Sequence, residues 1–94
     1  MTEPEFTATG VRIDRWPRAL TRAGKVLIRD GRVHLLTSRD QEIDSAPVGA
    51  VRAARSWLSG RRATVARLNG TRYRLRMPSG RFLEAVRRAR AARP

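Results

Sequence analysis

Arg67, Arg72, Arg74 and Arg76 lie on either side of Asn69-Gly70, a dipeptide suited to a two-residue hairpin turn between Ala63–Leu68 and Thr71–Met77. Folding the chain there sets Leu68 opposite Thr71, Ala66 opposite Tyr73 and Thr64 opposite Leu75. Side chains alternate across a strand, so Tyr73, Leu75, Met77, Leu68 and Ala66 face a core, and the four arginines face outward with Val65 and Ala63 between them. A row of guanidinium groups offers forked N–H donors to carboxylates and phosphates. Like charges this close repel, which costs stability unless acids or an anionic ligand offset it. Arg61 and Arg62 stand at the start of the same segment, so the candidate anion site is Arg61, Arg62, Arg67, Arg72, Arg74 and Arg76.

Other chemistry lacks its residues. The chain has one histidine, no cysteine, no carboxylate pair in an expected pocket and no glycine-rich phosphate loop, so no catalytic role, cofactor or metal is expected. His34 has no second ligand nearby and reads as a packed polar residue. Asp40, Glu42 and Asp44 alternate but lack the remaining ligands of a calcium loop, and read as a solvated acidic loop.

Charge points the same way as the arginine row. The 94 residues carry 21 basic and 8 acidic side chains, a net charge of +13. Residues 1–44 hold eight basic and seven acidic groups, whereas residues 45–94 hold thirteen basic groups against Glu84 alone. Such asymmetry fits an electrostatic face aimed at a negative partner, and a solvated surface that keeps a small protein soluble is the plain alternative. No apolar run approaches the ~20 residues of a membrane span, and Glu3, Pro4 and Glu5 do not resemble a signal region. A cytoplasmic location is expected, peripheral to a membrane if the partner is lipid.

The elements that must carry this face follow from period and turn chemistry. Residues 1–9 read as a flexible acidic tail in which only Phe6 has reason to dock, and residues 10–94 as one domain. Residues 10–23 hold Val11, Ile13, Trp16 and Leu20 but are broken by Pro17, which pushes the residues before it toward extended backbone. Lys25–Arg29 and Arg32–Thr37 flank Asp30-Gly31, a second hairpin signal that pairs Arg29 with Arg32, Ile28 with Val33, Leu27 with His34 and Val26 with Leu35. Val26, Ile28, Val33 and Leu35 then face the core, while Leu27, His34 and Leu36 form an opposite face apolar enough to need partial cover from the N-terminal segment or another strand. Glu42–Val48 reads as a short strand with Pro47 near its end, and Ala50–Leu58 fits both a strand and a helix, the strand being preferred. Ser79 can cap a C-terminal helix with an apolar stripe of Phe82, Leu83, Val86 and Ala89, Glu84 in its first turn and arginines in its last, ending near Arg93. The expected class is mainly β (α+β): a bent antiparallel sheet or small barrel closed by one amphipathic helix.

Four segments in this order, GKVLIRDGRVHLLT, the stretch from Ile43 to Val51 (I-x-x-x-P-V-x-x-V), NGTRYRL and SGRFLEAV, give residues 22–93 a resemblance to a pleckstrin-homology-like (PH-like or GRAM-like) domain. The resemblance implies a bent antiparallel barrel whose closing helix plugs one open end. It also implies a binding module, since such domains take phosphoinositides, anionic lipid surfaces, peptides and proteins. Phosphoinositide-binding members place basic residues on the first two strands around a longer loop. Here Lys25, Arg29 and Arg32 surround a tight turn containing an acid, so the anion site is expected on the later hairpin and the closing helix instead.

The expected function is a non-catalytic module that engages an acidic protein or anionic membrane surface. A non-specific nucleic-acid binder using the same arginines stays open beside it, without the paired exposed aromatics that stack bases. A self-associating domain would need an apolar surface, for which Trp57-Leu58 beside Arg61-Arg62 is the candidate. No residue pattern sets the oligomeric state.

Overall fold

Asp30 and Gly31 have φ angles of 50° and 75°, and Asn69 and Gly70 of 52° and 79°, the consecutive left-handed residues of a type I′ turn. Each turn fixes the pairing of the strands it joins. In the computed structural model, which describes residues 6–15, 18–58, 61–77 and 79–92 (56–58, 61, 62 and 79 by their backbone alone), these two hairpins belong to one seven-stranded antiparallel sheet. Its strands are β1 (Phe6–Arg15), β2 (Arg18–Arg29), β3 (Arg32–Leu36), β4 (Glu42–Pro47), β5 (Arg52–Leu58), β6 (Arg61–Leu68) and β7 (Thr71–Arg76), followed by helix α1 (Ser79–Ala91). The spatial order is β4-β3-β2-β1-β7-β6-β5, so β4 and β5 are edges and the sheet does not close through backbone pairing.

Both hairpins have the expected register, including Ile28 opposite Val33 and Ala66 opposite Tyr73. A Cβ added at Gly70 would meet nothing within 4 Å, so substitution there tests backbone conformation without crowding. Gly70→Val should lower stability by about 1 to 3 kcal/mol, because a β-branched residue is strained at positive φ. Thermal unfolding reads this directly, and an unchanged midpoint would contradict the turn.

The N-terminal third departs from the sequence reading. Residues 6–9 are not tail but the start of β1, with Phe6 opposite Ile28, and residues 10–23 complete β1 and begin a β2 much longer than the expected Lys25–Arg29. Register shifts between Ala8 and Val11, Val11 and Ile13, and Ile13 and Asp14 break the alternation that would mark a strand. They also bend β1, which pairs with β2 along its length and with β7 through Arg12–Asp14, joining the two hairpins into one sheet. Gly24 sits in a crowded spot: a Cβ there would lie 2.6 Å from the Leu36 carbonyl oxygen and from Thr21 Cγ2.

One core runs through both halves, built from Val26, Ile28, Val33 and Leu35, from Ile13, Ala66, Leu68 and Leu75, and from Val48, Val51, Phe82, Val86 and Ala89. Leu27, His34 and Leu36 are half-buried as expected. Their cover is lateral, since β1 brings Thr7 beside Leu27 and β4 brings Ser45 beside His34. Residues 52–58 are strand rather than helix. In α1 the position expected for Leu83 goes to Ala85, which packs on the core at helical spacing with Phe82, Val86 and Ala89, whereas Leu83 turns aside and is half-buried. The helix ends at Ala91, short of the expected Arg93, and starting it at Ser79 moves Glu84 out of the first turn.

The open seam between the halves is fastened by side chains. Asp44 shares the inner side of the sheet with its neighbour Leu35, and its carboxylate accepts hydrogen bonds from the Tyr73 hydroxyl (2.7 Å) and from Asn69 Nδ2 (2.7 Å), which also donates to the Ser45 carbonyl (2.8 Å). Of the three acids expected in a solvated loop, only Asp40 lies outside a strand, and it and Glu42 are exposed while Asp44 is half-buried. Glu42 and Asp44 lie in β4, Glu42 pairs with His34 Nδ1 at 3.0 Å, and Asp40 pairs with Lys25 at 2.5 Å. The His34 hydrogen bond is the main reason the Glu42 carboxyl titrates below its ordinary range. Among the described residues no cluster of three potential metal ligands forms.

Candidate functional site

The β6–β7 hairpin presents its arginines on the outer side of the half-sheet β5-β6-β7-β1. Arg67 stands opposite Arg72, and β5 extends that rung with Arg52 opposite Arg67. Cross-strand partners are about 5 Å apart, so three arginines crowd one rung. The next rung runs Ala54, Val65, Arg74, Asp14, and beyond it Arg76 is opposite Arg12. Arg52, Arg67, Arg72 and Arg76 are exposed and Arg74 is half-buried. Arg61 and Arg62 begin β6, opposite Leu58 and Trp57, at the end of the strand far from the turn. Their side chains, like that of Trp57, lie outside the described residues.

Three further members of this face come from other strands: Arg12 and Arg15 from β1, distant in the chain, and Arg52 from β5, the strand before β6. Arg15 lines, with Val65, Arg67, Thr71, Arg72 and Arg74, a concavity of about 590 Å³ on this side of the sheet. Asp14 is the acid the face acquires. It is only 9% exposed and accepts a hydrogen bond from Arg12 Nε at 3.1 Å. Ala63, expected outward, is buried at 4% exposure, while Thr64 faces inward and donates to the Met77 carbonyl at 3.3 Å.

The charges divide into two sets. Glu84 accepts from Arg87 at 2.7 Å and from Arg88 at 3.2 Å, contacts that hold its carboxyl below the ordinary range and raise Arg87. Arg90 donates through Nε to the Val48 carbonyl at 2.9 Å and through a second nitrogen to the Val51 carbonyl, fastening the end of α1 to the 3-10 turn Val48–Ala50. The helix arginines expected to share the anion site are thus largely engaged with the protein itself. Among the described residues Arg52, Arg67, Arg72, Arg74 and Arg76 form no salt bridge, the nearby carboxylate of Asp14 being held by Arg12.

The hairpin Lys25–Thr37, read from sequence as the first, is the second. The first two strands are β1 and β2, and their connection is flanked by Arg15 and Arg18. The sequence matches no protein-family model and no curated protein. No helix among the described residues is long and apolar enough to cross a membrane.

Proposed function

We propose that this chain is a non-catalytic interaction module of pleckstrin-homology-like architecture that engages an acidic protein or an anionic membrane surface through the arginine face of β6 and β7. The order of seven antiparallel strands and one C-terminal helix supports the architectural part of this reading. The functional part rests on how the charges are paired. Asp14, Asp40, Glu42, Asp44 and Glu84 are committed to other partners, while Arg67, Arg72, Arg74 and Arg76 have none among the described residues. Repulsion along that row is relieved when an external anion binds.

Replacing Arg72, Arg74 and Arg76 by Gln tests this. Affinity for polyglutamate or for phosphatidylserine vesicles should fall roughly tenfold to a hundredfold at low salt. Wild-type affinity should itself drop steeply with ionic strength, because exposed charges are screened beyond about 8 Å at physiological salt. The fold should survive, since none of the three side chains makes a hydrogen bond within the described structure. Wild-type binding by the triple variant would reduce the face to a solvated surface. Duplex DNA serves as the third probe: retention of its binding by the variant would assign nucleic-acid affinity to other arginines.

A further inference from the structure

The arginine face is not uniformly charged. Its middle rung begins with two apolar positions, Ala54 and Val65, the first exposed and the second half-buried. Arg52, Arg67 and Arg72 occupy the rung on one side, and Arg74 follows Val65 within its own rung. Val65 also lines the concavity together with Arg15, Arg67, Arg72 and Arg74. Arginines border this apolar pair at the neighbouring rung and at Arg74, and an apolar anchor beside a polar surround is the anatomy of a protein-binding patch. A purely electrostatic surface for lipid headgroups or phosphates has no use for that pair.

Resting on the reading above, we infer that this face takes an extended acidic segment of a partner protein with one apolar residue among its acids. Same-face residues of an extended chain repeat about every 6.8 Å, as do Arg67 and Val65 along β6. A peptide lying over β6 therefore places an acid at the Arg52-Arg67-Arg72 rung and, two residues on, an apolar side chain on Val65. Asp14 sits opposite Arg74 at the far end of the second rung and repels a further acid there. The favoured pattern is acid-x-apolar, with the acids toward the Asn69-Gly70 end.

Two synthetic peptides test it: a short Asp/Glu segment with one central leucine, and the same segment with serine there, measured by fluorescence anisotropy against the full chain. The leucine peptide should bind about tenfold more tightly, the effect of partly burying one leucine. Val65→Thr, close to isosteric and suited to a strand, should reduce that preference to about twofold. Replacing Arg72, Arg74 and Arg76 by Gln should weaken both peptides. Equal binding of the two peptides, indifferent to Val65→Thr but lost with the arginines, overturns this inference and leaves the electrostatic reading standing. Binding to phosphatidylserine vesicles and to neither peptide also overturns it, in favour of a membrane. Binding to none of the three probes overturns both.

Discussion

Phe82→Ala should destabilise the protein by about 3 to 5 kcal/mol, the cost of removing a large aromatic side chain from a core that cannot fully collapse onto the space. Phe82 is fully buried, and its ring meets that of Phe6 edge-on at a centroid distance of 5.8 Å and an angle of 64°. This pair ties the start of β1 to the first turns of α1, so the loss falls on both ends of the described chain. A domain of this size has on the order of 5 to 14 kcal/mol of total stability, so the substitution removes a large part of it. Chemical denaturation measures the loss. Should the variant not accumulate folded, Phe82→Leu retains most of the volume and should cost less than half as much. Deleting residues 79–94 should abolish cooperative folding, since the inner faces of both halves of the sheet would be exposed together. A well-dispersed amide spectrum from the truncated chain would show that the sheet does not need the helix.

Asp44→Ala should cost roughly 2 to 4 kcal/mol, because it leaves the Tyr73 hydroxyl without its partner and reduces the hold of Asn69 on the edge strand to its bond with the Ser45 carbonyl. The carboxylate lies between two parts of the sheet that share no backbone hydrogen bonds, so no ladder compensates for its loss. The same contact gives the protein an alkaline limit. Burial, followed by the hydrogen bond to and charge of Asp44, pushes the Tyr73 phenol from 10.0 up to about 12. Its folded-state pKa is therefore above the unfolded value, and the fold favours the neutral phenol. The associated stability is complete below pH ~10 and is lost as pH rises through about 12. Tyr73 is the only tyrosine, so phenolate absorbance reports on it alone. A titration midpoint near 10 in the folded protein would contradict the buried contact, and Tyr73→Phe should flatten the fall in unfolding midpoint over this pH range.

Readings that depended on turn chemistry agree with the structure. Asn69-Gly70 and Asp30-Gly31 specify their turns because few residue pairs tolerate two consecutive positive φ angles, and a two-residue turn leaves one register. The outward position of Arg67, Arg72, Arg74 and Arg76 then follows from the period of a strand. The stripe of α1 was legible for the same reason, except that both Leu83 and Ala85 fit beside Phe82 and only packing chose the smaller residue. β1 could not be read, because its register shifts interrupt the alternation by which a strand is recognised and its pairing partners lie in distant segments.

Turn chemistry, strand alternation and helical period are enough to define a mainly β chain with two tight hairpins, a C-terminal helix and an arginine row. Which distant charges meet depends on the packed fold. Pairing of β3 with β4 brings Glu42 to His34, and packing across the unpaired seam brings Asp44 to Tyr73, whereas Asp14 meets Arg12 within β1; none of these acids forms a salt bridge with Arg67, Arg72, Arg74 or Arg76.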